Sequence, residues 1–198
     1  DVLSRVGQSA LLWDTETASL TRTLPVSLDF SSLAKGYAVD RVAAALEAAG
    51  IMDYMVEIGG EIRVAGVSPR GDAWRIAVER PVAGSRGVAK ALDLTDIALA
   101  TSGDYRNFVE LDGERYSHTI DPRTGYPVTH DMVSVTVLHE RCMMADAWAT
   151  ALGVVGPDAA MRLATEHDLA VYLMRRDGDG VSGAASPQFT ARFGASNE

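Results

Sequence analysis

An aspartate and a threonine lie four residues apart in the stretch CMMADAWATALG, as Asp146 and Thr150. The apolar pattern predicts a helix over roughly residues 142–153, and residues four apart lie on one helix face. A carboxylate and a hydroxyl there are oxygen ligands of the kind that Mg²⁺ takes, with water and substrate phosphate completing its shell. An aspartate favoured by the helix dipole and a threonine bonded to the preceding turn explain the same spacing without a metal.

A second polar cluster lies in the stretch DFSSLAKGYAVDRV. Ser31 or Ser32 is expected to cap a helix that stops at Gly50, which places Lys35 near its first turn. The free N–H groups of a helix start attract anions, and a lysine adds positive charge for a phosphate. Asp29 could cap the helix or accept a hydrogen bond from a ligand. A capped helix with one exposed lysine explains the pattern at least as well.

His118 lies in the stretch SHTIDPRTGYPV, where a strand meets a loop. Imidazole takes up and releases a proton near neutral pH, so His118 is the candidate general acid or base. A single histidine is nevertheless more often structural. Cys142, the single cysteine, excludes an intrachain disulfide, and beside two methionines it is predicted to be a buried, unreactive thiol.

Two further stretches carry small residues that suit either a turn or a ligand. Gly59 and Gly60 in VEIGGEIRVAG predict a hairpin turn and also permit close backbone approach, although the dinucleotide fingerprint is not matched. Thr101 and Ser102 in ATSGDY either end a strand or line a ligand.

The strand-like segments outnumber the helical ones and are joined mainly by turn residues. Predicted strands include ALLW, LTRTLPVSL, WRIAVERP, VAKALDL, IALAT, MVSVTVLHE and LAVYLMRR, with a hairpin over NFVELDGERYSHTI that turns at Asp112 and Gly113. Predicted helices cover SSLAKGYAVDRVAAALEAAG, residues 142–153 and residues 157–167, the first with its apolar positions at Ala38, Val42, Leu46 and Ala49. This pattern favours an α+β fold, a largely antiparallel mixed sheet flanked by helices.

The tail after Arg176 is rich in Gly, Ser and Asp and is predicted to be loop with one short strand near Phe189. We expect one domain over residues 1–198, because that length suits a single core. A net charge of −9 argues against nucleic-acid binding through the whole surface. An anionic ligand must therefore meet local positive groups or a metal.

Taken in this order, the motifs resemble the ApbE family of FAD:protein FMN transferases. The matching stretches are DFSSLAKGYAVDRV, VEIGGEIRVAG, WRIAVERP, ATSGDYRNF, YSHTIDPRTGYPV, SVTVL, ADAWATALGVVGP and SPQF. They span nearly the whole chain, and DPRTGYP together with AD-x-x-x-T is the most specific combination. The resemblance also implies an ApbE-like, T-fold-like architecture.

The resemblance implies a Mg²⁺-dependent enzyme that splits FAD, attaches the FMN half through a phosphoester to a Thr or Ser of an acceptor protein, and releases AMP. Asp146 and Thr150 would bind Mg²⁺ with the backbone carbonyl of Ser32, and His118 matches the family's essential histidine, so that His118 and Asp146 are the catalytic candidates. The residues expected to line FAD are Asp29, Lys35, Gly59, Gly60, Thr101, Ser102 and the backbone near Ile120.

Family members often act at the outer face of the bacterial inner membrane, so the resemblance implies a periplasmic location. It also implies a longer segment upstream, with further FAD contacts, that this chain is expected to lack and through which it could be anchored. A Mg²⁺-dependent FAD pyrophosphatase and a catalytically silent FAD-binding protein remain the alternatives.

Two positions depart from motifs of this family and its acceptors. Ala149 stands where some members carry an acidic residue just before the metal-binding threonine. The stretch DGVSGAAS resembles the acceptor motif of flavinylated proteins, but Ala185 occupies the acceptor position and Ser186 follows it. We expect that stretch to be a Gly-rich loop.

Overall fold

The computed structural model describes Leu3 and residues 6–81, 87–103, 108–111, 114–178 and 180–194. A short 3-10 turn, Gln8–Ala10, precedes the first strand. The strands are β1 (Leu11–Asp14), β2 (Ser19–Arg22), β3 (Tyr54–Ile58), β4 (Glu61–Ala65), β5 (Trp74–Arg80), β6 (Gly87–Leu94), β7 (Ile97–Gly103), β8 (Phe108–Leu111), β9 (Glu114–Ser117), β10 (Ile120–Asp121), β11 (Tyr126–Pro127), β12 (Met132–His139), β13 (Ala170–Asp177) and β14 (Gly180–Ala185). The helices are α1 (Ala34–Ala48), α2 (Cys142–Val155), α3 (Pro157–Glu166) and α4 (Pro187–Phe193).

Six strands form the central sheet, in the order β14-β13-β12-β7-β4-β3. Every neighbouring pair described in it is antiparallel. The strands β1–β2, β5–β6, β8–β9 and β10–β11 form separate two-stranded hairpins. The prediction of an α+β fold with a largely antiparallel sheet and flanking helices is therefore confirmed, as is the hairpin of β8 and β9, whose turn at Asp112 and Gly113 lies outside the described residues.

The helices α1, α2 and α3 cover one face of the central sheet, and the β5–β6 hairpin with α4 covers the other. Alternation along β7 separates the faces, because Ala98 and Ala100 belong to the cores beneath α1 and α2 whereas Ile97 and Leu99 belong to the opposite core, with Ile76, Leu92 and Phe189. The strands β12 and β13 are buried on both faces. The helical layer is the one that carries the candidate site.

A carboxylate on α1 fixes the start of α2. Asp40 accepts hydrogen bonds from the backbone N–H groups of Cys142 and Met143, at 2.9 and 3.0 Å, and Arg63 of β4 donates to it at 3.0 Å. The N-cap residue of α2, Arg141, makes no side-chain cap of its own. Asp40 thus satisfies free N–H groups of the helix start and places a favourable negative charge there.

The structure corrects two predictions about α1. The helix begins after Leu33, which has no side-chain cap, so neither Ser31 nor Ser32 caps it. Its buried face is Gly36, Val39 and Ala43, whereas the predicted face included Val42, which is exposed. Because α1 lies close against α2, small side chains occupy the contact.

Two strand predictions also need correction. The strand β2 covers Ser19–Arg22, so only the first three residues of the predicted strand LTRTLPVSL lie in a strand. The predicted tail loop after Arg176 is instead the edge strand β14 followed by α4, and Phe189 lies in this helix. The strand forms because Gly180–Ala185 pairs with β13 residue by residue, so tertiary pairing outweighs the loop-like composition.

Ser186 caps α4 and is fully buried. Its hydroxyl accepts from the N–H groups of Val171 and Phe189 and donates to the carbonyl of Leu169. A hydroxyl with these contacts is a structural cap and is inaccessible to a flavin phosphate. Within the described part of the chain, no helix combines the length and apolar character needed to cross a bilayer.

Candidate functional site

The loop before α1 is shaped by Asp29. Its carboxylate accepts a hydrogen bond from the N–H of Ser31 at 2.7 Å and is exposed. Hydrogen bonding by Ser31, through its side chain and its N–H, lowers the pKa of Asp29. An ionised carboxylate and the half-buried Ser32 therefore precede the helix start.

Lys35, in the first turn of α1, reaches across to the β3–β4 hairpin. Its Nζ lies 2.6 Å from Oε1 of Glu61, and the lysine side chain is 47% exposed whereas that of Glu61 is 2% exposed. Burial raises the pKa of Glu61, and the hydrogen bond and charge of Lys35 oppose that increase. The pair therefore joins a buried carboxylate to an ammonium group at the protein surface.

Asp146 lies on α2 beside this pair. Its Oδ2 accepts a hydrogen bond from the N–H of Gly36 at 3.0 Å, and the residue is 5% exposed. Burial raises the pKa of Asp146, and the Gly36 hydrogen bond and the charge of Lys35 act in the opposite direction. Asp146 is therefore held against the first turn of α1, next to Lys35.

Thr150 follows Asp146 by one helical turn and is half-buried. Among the described residues, no hydrogen bond ties the Thr150 hydroxyl back to the preceding turn, and only Gly36 donates to the Asp146 carboxylate. Oxygen atoms on this face thus retain capacity to bind a further group. Ala149, between them in sequence, is buried in the core beneath α2.

The glycine pair forms the predicted hairpin turn between β3 and β4. Gly59 and Gly60 have φ of 63° and 100°, a region that glycine adopts without a steric penalty. A Cβ at Gly59 would lie 3.3 Å from Cδ of Lys35 and 3.6 Å from Oε2 of Glu61. The turn is therefore packed directly on the ion pair.

Thr101 and Ser102 lie on opposite faces of β7, as successive strand residues must. The Thr101 hydroxyl is 2.8 Å from that of Thr136, a buried residue of β12. The Ser102 side chain faces α2, since a Cβ at Gly153 would lie 3.4 Å from its Oγ. The structure therefore does not bring both hydroxyls to one ligand-facing surface.

The loop of His118 continues into the small hairpin β10–β11, which lies against α2. Asp121 binds Arg123 in a forked ion pair, with Nε–Oδ1 at 2.9 Å and Nη2–Oδ2 at 2.6 Å. Hydrogen bonds from Arg123 lower the pKa of Asp121. This pair and Gly125, at φ 78°, shape the turn of the loop, while His118 is exposed at its start.

An apolar groove of about 590 Å³ opens beside the same loop. Its lining is Leu3, Val6, Ile120, Pro122, Thr124, Gly125 and Tyr126. The volume lies within the range of small-molecule sites, which are mostly apolar with few polar groups. Ile120, predicted from the sequence to lie near FAD, is thus part of a groove large enough for a flat ring system.

Cys142 is fully buried at the start of α2, as predicted. Burial, together with the charges of Asp40, Glu61 and Asp146, raises the pKa of its thiol from 9.0 to about 12. The reactive thiolate is therefore scarce at neutral pH.

We expect native protein to resist alkylation of Cys142 at pH 8, because a pKa three pH units higher lowers the thiolate fraction about a thousandfold. Iodoacetamide labelling followed by intact mass tests this, and guanidinium should make labelling complete. Rapid stoichiometric labelling of the folded chain would contradict the described burial.

Sequence reasoning missed the roles of Glu61, Asp40 and Arg63. The strand β4 places Glu61, Arg63 and Ala65 on one face, toward α1. Charged residues on a helix-covered face require partners, and α1 supplies Lys35 for Glu61 and Asp40 for Arg63. The alternation of charged and apolar residues at the start of EIRVA is the sequence pattern that could have indicated these ion pairs.

Comparisons with known proteins show the family to which this chain belongs. The profile described as the ApbE family matches residues 1–173. The FAD:protein FMN transferase of Haemophilus influenzae is 45% identical over 188 residues, which cover 93% of this chain and 54% of that protein. The Escherichia coli K12 protein of the same name is 41% identical over 171 residues, covering 86% and 49%.

Solved structures give the same result. The Pseudomonas stutzeri flavinyl transferase ApbE, in its apo form, superposes with a TM-score of 0.86 at 40% identity, over 98% of this chain and 59% of that one. The apbe protein of Thermotoga maritima gives 0.81 at 30% identity, over 97% and 62%. The chain spans about half the length of the curated relatives it matches. By family profile, sequence identity and fold, the chain belongs to the ApbE family.

Proposed function

We propose that this chain carries the site at which FMN is transferred from FAD to a Thr or Ser hydroxyl of an acceptor protein, with release of AMP. One observation carries the proposal. The Asp146 carboxylate accepts a hydrogen bond from Gly36 in the first turn of α1, and the positive charge of Lys35 from the same turn acts on it, in a chain whose relatives are named for this reaction. A negative oxygen for a metal beside a positive charge for phosphate is the combination that phosphoryl transfer needs.

The residues beside α1 suit Mg²⁺. Asp146 offers a carboxylate with a single described hydrogen bond, Thr150 offers a hydroxyl, and the loop at Ser32 offers a backbone carbonyl. These are hard oxygen ligands, and few of them suffice for Mg²⁺. Two carboxylates, Asp146 and Glu61, face one ammonium, so the local charge favours a cation. When bound, the ion would neutralise charge on the pyrophosphate of FAD.

The acceptor hydroxyl oxygen forms a bond to the phosphorus of the FMN half, the bond to the AMP oxygen breaks, and AMP leaves. Lys35 would bind the pyrophosphate. His118 is the better proton acceptor for the hydroxyl, because Arg123 holds Asp121 as an ion pair and lowers its pKa. The groove beside Ile120 would accept the apolar flavin ring.

Incubation of the chain with FAD, Mg²⁺ and an acceptor domain that bears a flavinylation motif tests the proposal. Transfer gives AMP and covalent flavin on the acceptor. AMP with free FMN, independent of acceptor, would instead identify an FAD pyrophosphatase, and FAD binding without AMP a silent flavin-binding protein.

The periplasmic location and a membrane anchor outside this chain are further proposals, drawn from the family. Mass-spectrometric detection of the mature protein in a periplasmic fraction tests the first. Cofractionation with membranes tests the second.

A further inference from the structure

We propose that Glu61 is a positioning residue for the nucleotide: its carboxylate holds the Lys35 ammonium where the pyrophosphate of FAD is to bind. This inference rests on the proposed function. Glu61 acts through Lys35 and has no contact of its own with the substrate, since it is 1% exposed.

The ion pair has the geometry of an anchor. Nζ of Lys35 lies 2.6 Å from Oε1 of Glu61, with the lysine half exposed and the glutamate buried. An exposed lysine loses much rotamer freedom when it is fixed, and a fully exposed partner would give little in return. A buried carboxylate is less screened by water and stays in one position, so it fixes the ammonium of a long, flexible side chain.

Glu61 is a costly residue for the fold alone. Its Oε2 is buried and accepts no hydrogen bond within the described part of the chain. A buried carboxylate oxygen without a donor lowers stability, and apolar residues often replace buried ion pairs without loss. The position therefore fits a residue that serves the site.

The surroundings leave the pair little freedom. The turn at Gly59 lies on both side chains, because a Cβ there would approach Lys35 Cδ to 3.3 Å and Glu61 Oε2 to 3.6 Å. The negative charge of Asp146 acts on Glu61, and the positive charge of Lys35 acts on Asp146. Without Glu61, the ammonium would turn to Asp146 or to water and would no longer be held toward the nucleotide.

The test compares Glu61→Gln, Lys35→Met and the double variant for FAD affinity in the presence of Mg²⁺, measured by flavin fluorescence. Glutamine keeps the shape of Glu61 but removes its charge. We expect each single variant to bind FAD about tenfold more weakly, about 1.4 kcal/mol. If Glu61 acts through Lys35, the double variant should bind FAD at most about twofold more weakly than whichever single variant has the lower FAD affinity.

Glu57→Gln is the matched control, since Glu57 is an exposed carboxylate on the same hairpin and the substitution changes the charge equally. A general effect of charge would weaken FAD binding in Glu57→Gln as well. We expect that variant to bind FAD like the unmodified chain.

A second readout is independent of FAD. The sequence has two lysines, Lys35 and Lys90, so lysine labelled with ¹³C and ¹⁵N gives two ammonium signals that Lys90→Arg assigns. Glu61→Gln should speed proton exchange at the Lys35 ammonium and leave the Lys90 signal unchanged. Glu57→Gln should change neither signal.

The inference would be overturned by unchanged FAD affinity in Glu61→Gln or by an unchanged Lys35 signal in that variant. It would also be overturned if the losses of FAD affinity in the two single variants multiplied in the double variant. A lower melting temperature with FAD affinity intact would overturn it as well, since that is the result of a merely structural role. Failure of an unmodified chain to bind FAD overturns it too. FAD binding without AMP release contradicts the proposed function alone, so the two failures are distinguishable.

Discussion

Gly36→Ala is expected to lose more than about 3 kcal/mol of folding free energy, at or beyond the upper end of typical overpacking effects. A Cβ at this position would overlap the carbonyl oxygen of Cys142, and it would lie 2.7 Å from the carbonyl carbon of Cys142 and 2.8 Å from Cα of Met143. These are backbone atoms of α2, which Asp40 holds in place. Relief would require the two helices to separate.

The separation would also damage the site, because the N–H of Gly36 is the hydrogen-bond donor to Asp146. Gly153→Ala is the matched control, a glycine of α2 whose new Cβ would meet nothing nearer than Ser102 Oγ at 3.4 Å. Alanine favours a helix over glycine by about 1 kcal/mol, so this control should be as stable or more stable. Urea unfolding followed by circular dichroism measures both. Equal stability of Gly36→Ala and the unmodified chain would refute the described contact between α1 and α2.

Asp146→Asn is expected to reduce AMP release by a factor of about a hundred to a thousand while the fold stays intact, since loss of preorganised charge stabilisation commonly costs about 10²–10³. The asparagine oxygen can still accept the hydrogen bond from Gly36. It cannot supply the negative oxygen that would bind Mg²⁺ beside the pyrophosphate.

Stability should change in the direction opposite to activity. Burial raises the pKa of Asp146 above 3.8, so the folded state disfavours the ionised form of this carboxyl. The stability that the protonated carboxyl contributes is therefore lost as pH rises through the folded pKa. A neutral asparagine avoids that loss at pH 7, so without Mg²⁺ the variant should melt no lower than the unmodified chain. Mg²⁺ with FAD should raise the melting temperature of the unmodified chain and not that of the variant.

Asp158→Asn, at an exposed position in the first turn of α3, is the control for loss of one negative charge. It should retain full AMP release and the response to Mg²⁺. A destabilised Asp146→Asn that still releases AMP would assign Asp146 to the fold instead.

The sequence predicted the elements of the sheet well because strands such as MVSVTVLHE are rich in β-branched and other apolar residues. It mispredicted the buried face of α1 because AAALEAA offers small apolar residues on several faces. Gly36 lies on the buried face because α2 approaches closely, and Val39 and Ala43 because they pack with residues of β3 and β7; no local pattern shows either. Gly183 in β14 is a similar case, since it makes room for Tyr172 of the neighbouring strand.

In the candidate site, too, some residues could be predicted from local sequence features and others could not. Asp146, Lys35 and Asp29 could be proposed because helix spacing and helix starts are local features. Glu61 could not, because its ion pair with Lys35 joins residues 26 apart through the packing of a hairpin on a helix. Residues that bind through another side chain become visible only when the fold brings the two together.

Intact-mass analysis of the acceptor domain, after incubation with this chain, FAD and Mg²⁺, tests the central claim most directly. The proposed transfer predicts one FMN added per acceptor, an equal amount of AMP, and neither product when the acceptor's target threonine is replaced by valine or when EDTA is present. An acceptor of unchanged mass, with no AMP formed although FAD is bound, would contradict it.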